Sequence, residues 1–169
     1  MLYIFTGNGK GKTTAAIGTL VRSYGAGKSC AVIYFDKISE HCNELSALLE
    51  LGIHSYVFGA DRIEGEGFRF EHNKLDYLEV EKALNRAREL VDRADVLVLD
   101  EFLNVLRTGQ LGLEKALQFV DEFPKEKYLV LTGRGLHPEI ESRADLISEI
   151  NNIRHPFDSG VKAQKGIDY

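Results

Sequence analysis

The sequence predicts an α/β fold, a three-layer α/β/α sandwich around a mainly parallel sheet. Short, unbroken apolar runs of strand length alternate with longer amphipathic segments that have a helical period. Strands that alternate with helices are joined by right-handed crossovers, and such crossovers make neighbouring strands parallel. The 169 residues are the size of one ordinary domain, and no repeat or linker divides residues 1–169, so we expect a single domain.

Six segments are predicted to be strands. Cys30–Phe35 is continuously apolar, as a strand covered on both faces of a sheet would be, and Ile53–Phe58 is a weaker candidate. The remaining predicted strands are Leu2–Phe5, Val96–Leu99, Tyr128–Leu131 and Leu146–Ile150.

Five segments are predicted to be helices. In Lys74–Ala94, apolar residues recur at three- and four-residue steps, Asn73 supplies the N-cap, and Asp76 places negative charge in the first turn. Residues 59–73 and 151–169 have no strong period, and segments of that length are often functional. The other predicted helices are Thr13–Tyr24, Leu45–Leu51, Leu113–Phe123 before Pro124, and His137–Ala144 with Pro138 at its first position.

Composition and charge exclude several classes of protein. The net charge of −5 argues against a bulk basic surface, so nucleic acid is not an expected partner. No apolar run approaches the roughly 18 residues that span a bilayer, and the first residues do not look like a signal peptide. The two cysteines are too few for a disulfide framework. We therefore expect a cytoplasmic protein without a membrane partner.

The turn after the first predicted strand reads Thr-Gly-Asn-Gly-Lys-Gly-Lys-Thr-Thr and predicts a phosphate-binding loop. Its glycines let backbone N–H groups converge on anionic oxygens, and the following helix N-terminus adds a positive partial charge. Lys12 is expected to reach the terminal phosphates, and the Thr13 hydroxyl is expected to bind Mg²⁺ or Mn²⁺. Thr6 stands where the full pattern has its first glycine. The residues predicted to bind ATP are Thr6, Gly7, Asn8, Gly9, Lys10, Gly11, Lys12, Thr13, Thr14 and Arg134.

Two carboxylates, Asp100 and Glu101, directly follow the predicted strand Val96–Leu99. Because ligands bind at the carboxyl ends of parallel strands, both are expected near Thr13, where either could hold the metal ion or its water shell. Glu101 could also activate water in an ATP hydrolase or switch. A third alternative is an ATP-binding module without enzymatic activity. The residues alone predict a Mg-nucleotide domain and leave these alternatives open.

Two further segments carry candidate ligand contacts. Phe68 and Phe70 share a face if their segment is extended, which suits stacking on a flat ligand, although both could simply attach the long helix to the sheet. Arg134 follows the strand Tyr128–Leu131 and would add a cation for phosphate oxygens, unless it is an ordinary surface arginine.

Taken together, these segments resemble the P-loop family of ATP:corrinoid adenosyltransferases, which act on cob(I)alamin or cob(I)yrinic acid a,c-diamide. The resemblance covers nearly the whole chain, including the phosphate loop without its first glycine and the closing Gly-Val-Lys-Ala-Gln-Lys-Gly-Ile-Asp-Tyr. The segments that carry it are, in order, Thr6–Thr14, Gly25–Phe35, Phe68–Asn73, Val96–Glu101, Thr132–Gly135 with His137, and Gly160–Tyr169.

The resemblance implies an enzyme of cobalamin biosynthesis or salvage that joins the 5′ carbon of ATP to the cobalt of a reduced corrinoid and releases triphosphate. It implies that Lys12, Thr13 and Glu101 are the catalytic residues, that Thr13 and Glu101 hold magnesium, and that Phe68 and Phe70 contact the corrinoid. A homodimer and a flavoprotein reductant are further implied partners. Cob(I) has no proton to remove, so the scattered histidines and the absence of a catalytic triad are consistent with this chemistry.

The sequence also departs from that family. Members often carry a helix before the first strand, whereas this sequence begins in the strand. Phe70 stands where members usually have tryptophan, and the segment Asp36–Cys42 lacks an expected glycine-containing stretch. These departures concern the corrinoid side of the site more than the ATP side.

Overall fold

Six parallel strands form the central sheet of the protein. The structure, a computed structural model, describes residues 1–64 and 67–168, without the side chains of residues 63, 64, 67 and 68. The α/β fold class with a parallel sheet is confirmed. The strands of the sheet are β1 (Leu2–Thr6), β2 (Cys30–Phe35), β3 (His54–Phe58), β6 (Val96–Asp100), β7 (Tyr128–Thr132) and β8 (Leu146–Glu149). Their order across the sheet is β3-β2-β6-β7-β1-β8.

Every helix predicted from the sequence is present, with bounds that shift by one to four residues at most positions. The long helix ends at Leu90 rather than Ala94. Asn73 is its N-cap and Asp76 lies in its first turn, as the sequence predicts, and the two residues also form a capping box that was not predicted. One helix between Phe102 and Arg107 was not predicted. The helices are α1 (Lys12–Gly25), α2 (Glu44–Glu50), α3 (Lys74–Leu90), α4 (Phe102–Arg107), α5 (Leu113–Glu122) and α6 (Pro138–Glu141).

Alternate residues of the buried strands face two separate apolar cores. Ile33 of β2 packs in the core that α3, α4 and α5 cover, while Val32 packs in the core beneath α1 and α2. A strand buried on both faces reads as a continuous apolar run, which explains the composition of β2. The two cores establish helix layers on both sides of the sheet. None of the described helices is both long and apolar enough to span a bilayer.

The segments that the sequence left without a period have local structure of their own. Two short antiparallel strands, β4 (Ile63–Glu64) and β5 (Gly67–Phe68), form a hairpin between β3 and α3. A 3₁₀ turn, Pro156–Ser159, lies in the segment after β8. The carboxyl ends of β1, β2, β6 and β7 share one edge of the parallel sheet, and this edge positions the candidate site.

Candidate functional site

The phosphate loop connects β1 to α1 at the carboxyl edge of the sheet. Gly11, at the N-cap of α1, has φ of 115°, a left-handed conformation that favours glycine, and no side chain caps the helix. The N–H groups of the first helical turn have no partner inside a helix, so they can donate to an anion. Lys12 is buried, and its Nζ donates a 2.6 Å hydrogen bond back to the carbonyl of Gly9. Burial lowers the pKa of Lys12 from its ordinary value.

The segment that follows β8 packs directly on this loop. Its Ile150 carbonyl accepts a 2.7 Å hydrogen bond from the Gly9 N–H, and a Cβ added at Gly9 would lie 2.7 Å from that same oxygen. Lys10 donates through its N–H to Asn152 at 3.0 Å and pairs through Nζ with Asp168 at 2.7 Å. The residues of this segment therefore shape the loop, and Gly9 is required by their close approach.

The two predicted acidic residues differ in their surroundings. Asp100 is fully buried at the end of β6, where one carboxylate oxygen accepts from the Thr132 hydroxyl at 2.7 Å and the other lies 2.5 Å from Lys37 Nζ. Glu101 has φ of 60°, which is strained for a residue with a side chain, and burial followed by the charge of Asp100 raises its pKa. The positive charges of Lys37, Lys12 and Arg134 act on the Glu101 pKa in the opposite direction.

Residues at this edge fit a magnesium ion bound together with phosphate. The Thr13 hydroxyl and the Glu101 carboxylate are hard oxygen ligands, the kind that Mg²⁺ prefers, and both line the same cavity. In the described part of the chain, no three His, Cys, Asp or Glu side chains cluster as a complete metal site. Mg²⁺ is often held by one or two protein oxygens plus substrate phosphates, so this sparse donor set fits it.

A cavity of about 1150 Å³ opens over the phosphate loop. Of the predicted ATP-binding residues, 8–14 and Arg134 line it, and so does Glu101. Three predicted site residues, Thr6, Gly7 and Asp100, do not line it. Thr6 is buried at the end of β1, and Asp100 is buried at the end of β6. Residues after β8, including Phe157 and Asp168, also line the cavity. Its lining therefore combines the cationic side chains of the loop with apolar side chains such as Phe157.

Of the two predicted aromatic contacts, the structure describes the side chain of Phe70 alone. Phe70 is 83 % exposed and does not line it, and the side chain of Phe68 lies outside the described part of the chain. The segment that carries them is held at its base, because Arg62 pairs with Asp36 and Arg69 pairs with Asp76 at 2.6 Å. Their predicted role against the corrinoid stays a prediction.

Sequence reasoning missed several residues of the cavity, among them Lys37, Phe157 and Asp168. Lys37 follows β2 at the carboxyl edge of the sheet, a position that the ligand-binding rule for parallel sheets could have selected. Phe157 and Asp168 lie in the segment after β8. Part of this segment matches a family motif, but it has no periodic pattern from which the positions of single side chains could be predicted. Phe157 is 73 % exposed on a 3₁₀ turn whose first amide donates to His155 Nδ1 at 3.1 Å.

Comparison with known proteins identifies the family. The whole chain, residues 1–169, matches the family "ATP:corrinoid adenosyltransferase BtuR/CobO/CobP". The chain belongs to this family. A corrinoid adenosyltransferase of Escherichia coli K12 is 35 % identical over 171 residues, which cover 100 % of this chain and 85 % of that protein. Corrinoid adenosyltransferase CobA of Salmonella typhimurium LT2 is 37 % identical over 176 residues, with the same coverage.

Family membership makes the chain an enzyme that adenosylates a corrinoid with ATP, as the sequence predicts. A corrinoid adenosyltransferase of Pseudomonas aeruginosa PAO1 is 32 % identical and covers 100 % of the chain and 83 % of its own length. The ATPase 2 and 3 structure of EssC from Geobacillus thermodenitrificans is 15 % identical with a TM-score of 0.50. It covers 99 % of this chain and 36 % of its own chain, and it shows the similarity of fold alone.

Proposed function

We propose that the cavity holds ATP with its triphosphate in the phosphate loop and presents the ribose 5′ carbon to the cobalt of a Co(I) corrinoid. The observation that carries this proposal is the cavity of about 1150 Å³, which joins a phosphate loop to a partly apolar wall. Small-ligand pockets commonly have volumes of about 300–1,000 Å³, so this one has room for more than a nucleotide.

The reaction is a displacement at carbon. The electron pair of Co(I) forms the new cobalt–carbon bond, the C5′–O5′ bond breaks, and its electron pair leaves on the triphosphate. No proton moves, so the residues of the chain have to align the reactants and stabilise the departing anion. Alignment of two reactants can lower a barrier by about 7–11 kcal/mol.

The phosphate loop supplies the stabilisation of the leaving group. The N–H groups at the start of α1 are fixed in direction before the reaction, and fixed donors stabilise developing charge without reorganising. Lys12 is buried beside the loop and exchanges its bond to the Gly9 carbonyl for one to a phosphate oxygen. Thr13 and Glu101 would hold Mg²⁺ or Mn²⁺, which neutralises charge on the phosphate oxygens when bound.

In this proposal the corrinoid packs against Phe157. Phe157 is exposed and lines the cavity, and a large flat macrocycle can bury an exposed aromatic side chain. Phe68 and Phe70 are the aromatic residues predicted from the resemblance, and they belong to a segment held beside the site by Asp36 and Asp76. Their contact with the corrinoid is part of this proposal.

Several finer features belong to the same proposal. We expect a homodimer in the cytoplasm, a flavoprotein that supplies the electron for Co(I), and service in cobalamin biosynthesis or salvage. Family membership does not favour the alternative in which Glu101 activates water for ATP hydrolysis. Glu101 is instead assigned to the metal ion, because it lines the cavity together with Thr13.

Phosphorus NMR of the spent reaction tests the proposal. The chain is incubated with MgATP, cob(II)alamin and a chemical reductant that produces Co(I). We expect inorganic triphosphate only when reduced corrinoid is present, together with the absorption spectrum of an alkylated corrinoid. Orthophosphate produced without corrinoid would indicate a hydrolase, and unchanged ATP in the complete reaction would indicate a binding module. The matched Lys12→Ala variant should produce no triphosphate, which controls for contaminating activities.

A further inference from the structure

Lys37 places a positive charge between two residues that the sequence assigns to the metal ion. Its Nζ lies 2.5 Å from Asp100 Oδ2 and 3.5 Å from Thr13 Oγ1. The Lys37 side chain is 23 % exposed and lines the cavity, whereas the Asp100 side chain is fully buried. No sequence motif singled out this lysine.

A divalent cation cannot share this position with an ammonium group, because the two like charges would repel each other at contact distance. Asp100 also has both carboxylate oxygens engaged, one by Lys37 and the other by Thr132. When a metal–triphosphate enters, the ammonium therefore either blocks the metal ion or moves to another anion. The phosphate oxygens are the nearest anions that the proposed function brings into the cavity.

The backbone of Lys37 is fixed, so the side chain alone has to move. A Cβ added at Gly59 would lie 2.6 Å from the Lys37 backbone nitrogen, which shows that the chain after β3 packs tightly against it. The preceding residue, Asp36, pairs with Arg62 and accepts from Gln110 at 3.4 Å. A lysine has four rotatable side-chain bonds, and rotation about them can carry its Nζ from one anion to a neighbouring one.

We propose that Lys37 is a triphosphate-binding residue. Its ammonium neutralises Asp100 before the nucleotide binds, then donates to a phosphate oxygen and leaves the space beside Thr13 to the metal ion. Together with Lys12, it stabilises the triphosphate as a leaving group. This inference rests on the proposed function for the identity of the anion. Its test uses tripolyphosphate without metal or corrinoid. The role of Lys37 can therefore be disproved while adenosyl transfer is established, and adenosyl transfer can be disproved while Lys37 is found to bind phosphate.

Variants built on Asp100→Asn separate phosphate binding from a purely structural ion pair. Removing Lys37 alone leaves Asp100 buried without a counter-ion and can unfold the chain, so Lys37 is replaced only in the Asp100→Asn background. Tripolyphosphate binding is measured by calorimetry in EDTA for the wild type, Asp100→Asn, and Asp100→Asn with Lys37→Met. Lys82→Met, which removes a surface lysine paired with Glu79 at 2.7 Å, is the matched control.

We expect Asp100→Asn to bind tripolyphosphate at least as tightly as the wild type, because the ammonium is released from its carboxylate. Adding Lys37→Met should then weaken binding about tenfold, the effect of losing one hydrogen bond between charged groups. Lys82→Met should leave binding within twofold of the wild type. Equal affinity of Asp100→Asn and the double variant, within twofold, would overturn the proposal and leave Lys37 as a counter-ion only.

Discussion

The hydroxyl of Thr132 donates a 2.7 Å hydrogen bond to the carboxylate of Asp100 across two neighbouring strands. Leu99 and Leu131 are partners in the register of β6 and β7, so the next residues along both strands lie side by side. The same hydroxyl oxygen accepts a 2.9 Å hydrogen bond from the N–H of Glu101. One buried hydroxyl therefore orients both acidic residues of the site.

Replacing Thr132 with valine should disturb both acids while preserving the shape of the side chain. The substitution leaves a buried carboxylate oxygen and a backbone N–H without their partner, which should cost about 1–3 kcal/mol of unfolding free energy. We also expect a several-fold loss of ATP affinity in the presence of Mg²⁺, measured by calorimetry. Thr132→Ser keeps the hydroxyl, so this variant should retain most of the wild-type unfolding free energy and most of the wild-type ATP affinity. Equal ATP affinity of the valine variant and the wild type would contradict the orienting role.

Asp76 should stabilise the fold and the segment that carries Phe70. It is 1 % exposed, accepts from the Asn73 N–H at 2.7 Å in the capping box, and pairs with Arg69. Asp76→Asn removes the buried carboxylate that pairs with Arg69 and accepts from Asn73, and we expect a loss of about 3 kcal/mol in urea unfolding at pH 7. In the corrinoid assay it should raise the KM for the corrinoid more than the KM for ATP.

The stability that Asp76 supplies should depend on pH. Burial raises its pKa, but hydrogen bonds from Arg69 and Asn73 outweigh burial and hold the pKa below the ordinary value of 3.8. A carboxylate with a lowered pKa contributes its full stability above 3.8, and this contribution is lost as the pH falls through the folded pKa. The difference in unfolding free energy between the wild type and Asp76→Asn should therefore shrink below about pH 3.8. A constant difference between pH 7 and pH 3 would exclude this linkage.

Phe157 and Phe70 should differ in their effects on the two substrates. Phe157 lines the cavity and Phe70 does not, although both are more than 70 % exposed. Phe70→Ala should leave ATP affinity intact and reduce only the corrinoid reaction. Phe157→Ala should weaken corrinoid binding about tenfold, the value of one aromatic stacking contact. The measurement is an optical titration with cob(II)alamin and MgATP, and loss of ATP binding in the Phe70 variant would count against its stacking role.

Asp168 should compete with phosphate for Lys10. The carboxylate lies 2.7 Å from Lys10 Nζ. The hydrogen bond from Lys10 has the largest effect among the contacts that lower the pKa of Asp168. Asp168→Asn removes a negative charge beside an anion site, so tripolyphosphate should bind up to about fivefold more tightly at low salt, the scale of one exposed ion pair. The gain should disappear near 1 M salt, where the screening length is about 3 Å. A gain that persists at high salt would point to a cause other than charge.

The sequence predicted the sheet well because parallel strands buried on both faces appear as unbroken apolar runs. The carboxyl ends of parallel strands lie at the same edge of a sheet, whatever side chains the strands carry. For that reason the sequence also predicted that Lys12 and Glu101 lie at one edge. Helix α4 was missed because its six residues are too few for a period to appear. The roles of Lys37 and Asp168 depend on contacts between residues far apart in the chain, such as Lys10 with Asp168, and no local pattern encodes these.

Glu101 holds a backbone conformation, at φ of 60°, that costs an ordinary residue about 1–2 kcal/mol relative to glycine. Directed evolution that selects only for thermal tolerance should therefore favour glycine at this position, and the enriched chains would lose a carboxylate that lines the cavity. Under the proposed function, stability and catalytic turnover make opposite demands on Glu101. Libraries of this enzyme that are selected at high temperature therefore also need a screen for activity, so that the Glu101 carboxylate is retained.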